Sequence, residues 1–332
     1  MSRRAWLGLW IAAAALIVPA AHLALGRGVD WSELLAGTDT VSWRVLTELR
    51  LPRLVVAMFA GTALGLAGLA LQSVLRNSLA APELTAVNPS AVLGYLIASG
   101  TGLIDGGSVF SSVLSATVGG LLGGGLLWLV AHRRTSEQTA VLGLLSALAL
   151  TGVVTILIAA RPTGVGGALR WLIGSVEARV AEHVPMIAIP VLAGFAALVL
   201  VADRLEILAV SDSHAHCLGV SPGFWRGVGI GIAVLLASAA VATVGPLAFV
   251  GFVAPHVVRL VFGGRLRRQV VLVAVCGGLF VAASDLIAKA VSLAIQLTGD
   301  GQQVGVPVGA VTCLIGAAAL VAVASSHQES EP

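Results

Sequence analysis

The feature that most constrains this 332-residue chain is a series of apolar runs long enough to cross a lipid bilayer, some of which, such as Ala140 to Ala160, carry no charge at all. A soluble chain of this length divides its apolar residues into periods of 3.6 or 2 and surrounds them with charge. Here 58% of residues are hydrophobic and only 11% are charged, so lipid is the solvent for most of the surface. The predicted fold class is an all-α polytopic membrane protein, because a helix satisfies its own backbone polar groups where water is absent.

A hydrocarbon core of about 30 Å takes roughly 20 helical residues. On that measure the runs predict ten transmembrane helices at 5–25, 54–75, 88–104, 109–131, 138–160, 184–202, 224–244, 246–263, 270–297 and 307–325, in one transmembrane domain covering 1–332. An even number of spans puts both termini on one side, and Arg3 with Arg4 ahead of the first span makes that side the cytoplasm. Arg76, Arg133, Arg134, Arg204, Arg226, Arg265, Arg267 and Arg268 then also fall inside, against Arg27, Arg44, Arg50, Arg53, Arg161, Arg170 and Arg179 outside. A cleaved signal peptide is the alternative for the first 25 residues, but the run is long for one.

Composition excludes several function classes. Cys217, Cys276 and Cys313 are scattered, without the paired spacing of a metal site or a disulfide framework. The net charge of +3 is what cytoplasmic loops facing anionic lipid carry, and no basic run points to nucleic acid. Lys289 is the only lysine and sits in Asp285-Leu286-Ile287-Ala288-Lys289-Ala290, so no phosphate-cradling GxxxxGK[ST] loop exists. Any ATP is therefore bound by another subunit. Neither HExxH nor GxSxG occurs, which leaves hydrolase chemistry without its usual residues. Among intramembrane charges only Arg259, Asp285 and Lys289 stand out, and Asp285 with Lys289 is spaced as an intrahelical ion pair. An ion-coupled secondary transporter is the competing reading, although it needs more titratable groups than these. Glycine pairs four apart, at Gly61 and Gly65, Gly120 and Gly124, and Gly227 and Gly231, are expected to let helices within the chain approach closely.

Three polar segments interrupt the spans. The first is Arg50-Leu51-Pro52-Arg53, at the outer start of the second span, answered at its inner end by Leu75-Arg76-Asn77-Ser78-Leu79-Ala80 and Pro82. Pro52 suits the first turn of a helix. The second is the cytoplasmic stretch 203–222, predicted to hold one or two short amphipathic helices with Leu205, Leu208, Val210, Leu218 and Val220 as apolar positions. Asp212 is the expected cap of one such helix and Gly219 its terminator. The third runs from Gly245-Pro246 to Pro255-His256 and Arg259, where two prolines and two glycines are expected to break a span.

In this order and spacing, these elements resemble the permease subunits of type II ATP-binding-cassette (ABC) importers for ferric siderophores, haem and cobalamin. The further motifs are Ser-Asp-Ser-x-Ala-x-x-Leu-Gly-Val (Ser211 to Val220), Gly-Pro-x-x-Phe-x-Gly-x-x-x-Pro-His-x-x-Arg (Gly245 to Arg259) and Val306-Pro307-Val308-Gly309. The resemblance implies ten helices, a second permease (identical or similar), separate ABC ATPase subunits that hold ATP and Mg, and an extracytoplasmic substrate-binding protein. It also implies a bacterial cytoplasmic (inner) membrane location, with no cofactor and no catalytic residue in this chain. On the matching positions, Arg50, Arg53 and Lys289 are the expected docking residues for the binding protein, and Asn77 and Leu79 the cytoplasmic gate. Ser211, Asp212, Ser213, Ala215, Leu218, Gly219 and Val220 are the expected ATPase-coupling residues. Lys289 stands where the family usually has arginine, which loses the bidentate fork. Gly305-Val306-Pro307-Val308-Gly309 replaces the usual Glu-Leu-Pro-x-Gly after a longer loop, 298–304, and Glu83 stands in for the usual aspartate.

Overall fold

The computed structural model describes residues 3–26, 29–35, 40–84, 86–104, 108–131, 136–160, 173–298 and 305–328. All regular elements among them are helical: α1 (Arg3–Ala24), α2 (Trp31–Leu35), α3 (Thr40–Arg44), α4 (Leu51–Leu75), α5 (Val87–Gly100), α6 (Val109–Ala131) and α7 (Ser136–Ala159). The remainder are α8 (His183–Val210), α9 (Asp212–Cys217), α10 (Pro222–Val244), α11 (Val250–Val261), α12 (Leu266–Thr298) and α13 (Val308–Gln328). Each of the ten expected spans has a helix. Six of these helices are long and apolar enough to cross a bilayer, three more are shorter apolar helices, and α5, of 14 residues, is the tenth.

Helix α4 forms the centre, packed against α8, α10, α11 and α12. Burial separates the spans into two kinds: 83% of the most apolar stretch of α10 lies inside the bundle, against 17% for α7, whose leucines face outward to lipid. Lipid offers no hydrophobic gain for burying one leucine against another, so close packing must hold the core. Gly61 of α4 and Gly277 of α12 supply it, each so near the other's carbonyl that neither has room for a Cβ. Gly65 continues this contact against Val273, and Gly120 and Gly124 bring α6 onto Ser238 and Val234 of α10. The expected close approaches thus occur for these pairs; Gly227 meets Trp128, whereas Gly231 faces open space.

Three boundaries differ from the sequence expectation. Helical backbone runs unbroken from Thr40 through a π-helical turn, Val45–Arg50, into α4, so Pro52, in the first turn of α4 as expected, also has helical backbone before it. The widened turn just before it accommodates a residue that has no N–H to donate. The sixth span continues as one helix to Val210, because Leu205 and Leu208 are fully buried on the face that already packs the bundle. Only one short helix, α9, is therefore separate. The eighth span starts late, at Val250. The break lies at Gly245 (φ 78°) and Phe249 (φ 65°), while Pro255 is carried within α11.

Candidate functional site

One end of the bundle holds a polar chain, buried at His22 and Asp285, that joins three helices. Arg53 of α4 donates two parallel bonds to Asp285 of α12, Nε to Oδ2 at 2.8 Å and Nη2 to Oδ1 at 2.7 Å. His22 of α1 also meets Asp285, Nε2 to Oδ2 at 2.7 Å, with both side chains at most 1% exposed. Lys289 Nζ donates to His22 Nδ1 at 3.1 Å. Because an ammonium can only donate, Nδ1 is an acceptor and the His22 proton is on Nε2, directed at Asp285. The expected Asp285 to Lys289 ion pair is thus replaced by an interhelical one. Asp285 takes Arg53 because a planar guanidinium fits both carboxylate oxygens at once.

Arg50, on the π-helical turn, is buried and donates through Nη1 to the carbonyls of Leu23 at 2.5 Å and Ala24 at 3.3 Å. These are the last carbonyls of α1, which lack partners within their own helix. Through Arg50 and His22, α1 is an integral part of the fold. Beside this chain lies a cavity of about 540 Å³ whose lining includes Arg50, Arg53, Arg179, Lys289 and Glu177, so basic groups outnumber acidic ones there. Gly305 and Val306, at the start of the Val306-Pro307-Val308-Gly309 segment, complete its lining. Val306 N donates to Ser292 Oγ at 2.9 Å, and Gly309 N to Gly174 O at 3.2 Å. Residues 299–304 of the expected longer loop, with Arg27, Arg133, Arg134, Arg161 and Arg170, lie outside the described residues.

At the opposite end of the bundle, α4 stops at Arg76, which adopts a left-handed backbone (φ 52°). Asn77 closes the following turn, its Oδ1 accepting from Leu79 N at 2.9 Å, and leaves the Leu79 side chain 49% exposed.

The second polar segment resolves into α8 and α9. Ser211, not Asp212, caps α9, with its hydroxyl accepting from His214 N at 3.0 Å; Asp212 is the first helical residue and its carboxylate turns to arginines instead. An extended backbone at Ser211 puts its short side chain within reach of the third residue on. At the other end Gly219 has φ 71°, and two bonds, Gly219 N to His216 O at 3.0 Å and Val220 N to Ala215 O at 2.9 Å, form the paired closure of a left-handed C-terminal cap. Ala215 alone in α9 is buried, while Ser213, His214, His216, Cys217 and, past its end, Leu218 are exposed. The helix is thus seated on the bundle by the Ala215 side chain and the Asp212 ion pairs, with its other face bare. Arg204 over the ring of Trp225, 5.2 Å from its centroid, ties the flanking helices together.

Sequence reading missed His22, a lone polar residue in an apolar run. It also left Arg76 and Arg226 as plain topology markers, although both meet Asp212.

Buried central helices, a lipid-facing ring, a cationic cavity at one end and a short capped helix at the other define a polytopic membrane permease. The chain belongs to the FecCD transport family, whose model matches residues 9–326. It is 36% identical over 297 residues to the Fe(3+) dicitrate transport system permease protein FecD of Escherichia coli (strain K12), covering 87% of this chain and 88% of that protein. It is 34% identical over 285 residues to the ferric enterobactin transport system permease protein FepG of the same organism, covering 83% and 81%. A metal-chelate type ABC transporter solved in an inward-facing conformation shares the fold, with a TM-score of 0.83 at 22% identity over 96% of this chain and 98% of that one.

Proposed function

We propose that this chain is the membrane-spanning permease of an ATP-driven importer of a ferric chelate, in a bacterial cytoplasmic membrane with both termini inside. Two permeases, this chain with a copy or a similar chain, enclose the pathway, and separate ATPase subunits bind ATP and Mg. The bare face of α9 is the observation that carries this reading. A six-residue helix, capped at both ends and held to the bundle by Ala215 and the Asp212 ion pairs, is rigid enough to pass on a push from beneath and too exposed to be explained by packing within this chain. Relatives that serve ferric dicitrate and ferric enterobactin support a ferric chelate as cargo. The excess of basic groups around the outer cavity supports a binding protein that docks there through carboxylates, with Arg50, Arg53 and Lys289 holding the local field positive. Asn77 and Leu79 narrow the inner end.

Vesicles containing this permease with its ATPase are expected to take up ferric citrate or another ferric chelate only when ATP is supplied on the α9 side and the binding protein on the other. Uptake driven by a proton gradient without ATP would overturn the reading in favour of ion coupling. The orientation has its own check in the native Cys217, which is exposed on α9. An impermeant maleimide is expected to label Cys217 in inverted membrane vesicles and not in intact cells, with added ATPase protecting it; labelling from outside would reverse the topology.

A further inference from the structure

The inner end of α4 and the start of α9 meet at one carboxylate. Asp212 Oδ1 lies 3.2 Å from Arg76 Nη2, while Arg226 Nη2 donates to Oδ1 at 3.0 Å and to Oδ2 at 3.2 Å. The two arginines are not equivalent. Arg226 belongs to the first turns of α10, with a side chain 11% exposed, and fixes the carboxylate against a span whose inner face is packed. Arg76 is the residue on which α4 ends. Its left-handed backbone sets the direction in which the chain leaves the helix, and a residue with a Cβ holds that conformation only where its surroundings impose it. Directly after it comes the Asn77 turn that presents Leu79.

We propose that Asp212 is a positioning residue that links α9 to the inner gate: displacement of α9 reaches Leu79 through the Asp212 to Arg76 ion pair, with Arg226 as the pivot. The proposal rests on the reading that α9 meets the ATPase and that Asn77 and Leu79 narrow the pathway. The route is short, one side-chain pair and three residues of backbone, and it is the direct polar link between two elements that otherwise share α8 and α10 as neighbours. Within this arrangement, Ala215 and the Ser211 cap keep α9 rigid, and the ion pair ties its first residue directly to the end of α4.

The test uses the complete transporter in vesicles and reads two quantities together, ATP hydrolysis and chelate imported per ATP hydrolysed. A pair that serves only to hold the fold lowers both through loss of assembled complex. For Arg76→Gln the expected result is hydrolysis still stimulated by the binding protein with import per ATP reduced about fivefold, the scale of an ion pair half open to solvent. Asp212→Asn is expected to lower the same ratio, and the double variant to be no worse than the poorer single one, because both act on one link. A Leu79→Cys reporter in the Arg76→Gln background should lose the nucleotide-dependent change in maleimide reactivity that it shows in the parent. If Arg76→Gln fails to reach the membrane, Arg76→Met, which keeps the bulk and removes the charge, provides the same readouts. An unchanged ratio in both single variants, or losses that multiply in the double variant, overturns the proposal. Absence of ATP-dependent import in the parent would instead overturn the functional reading on which it rests.

Discussion

Asp285→Leu is expected to remove most folded permease from the membrane, and Arg53→Met added to it to bring much of it back. Asp285 is 1% exposed and is the counter-charge for Arg53, besides accepting from His22. Taking it away leaves the Arg53 guanidinium, whose side chain is only 20% exposed, and the His22 Nε2 proton without their acceptor. Breaking a buried pair by removing one member costs about 3–5 kcal/mol, a large part of the total stability of a domain. Replacing both members with apolar groups of similar bulk removes the stranded charge at Arg53, so the double variant should recover despite its two changes. Lys289 and His22 keep their mutual bond in both variants, which isolates the Arg53 term. Thermal unfolding of the solubilised protein measures the effect. A single variant as stable as the parent, or a double variant no better than the single, would show that the pair is dispensable.

Gly219→Val is expected to abolish transport and the stimulation of ATP hydrolysis while the permease remains in the membrane. A Cβ at Gly219 would meet nothing within 4 Å, so crowding plays no part. The cost is in the backbone: φ 71° is the left-handed region, where a side chain costs roughly 1 kcal/mol or more and a β-branched one more again. Relieving that strain means opening the two bonds from Gly219 N and Val220 N that close α9. A six-residue helix has no further turns to absorb the change, whereas the spans keep their own packing. Gly219→Asn should be milder, since asparagine tolerates this region. Normal transport by Gly219→Val, or loss of transport accompanied by loss of the folded protein, would sink the argument.

Local chemistry was legible wherever the determinant and its effect lie close along the chain. Gly219 after a short polar helix, and the glycine breaks near Gly245, could be read because cap geometry depends on a few neighbouring residues. Boundaries were less legible where tertiary burial extends a helix past its apolar run. Leu205 and Leu208 continue α8 because neighbouring helices cover them, not because their local sequence differs from that of an amphipathic surface helix.

By itself the sequence determined the class and the count: long apolar runs admit only helices in lipid, and their number predicts ten. It also placed the polar interruptions at the two ends of the bundle. The tertiary structure alone decided how charges are paired, because spacing of four along α12 allows Asp285 to face Lys289, but helix rotation brings Arg53 and His22 to it instead. The same holds at the other end, where Arg76 meets Asp212 and Arg226 because α4 ends where α9 and α10 begin. An ion pair reports the relative rotation and depth of whole helices, and those are set by glycine-mediated contacts such as Gly61 on Gly277, which no single run of residues encodes.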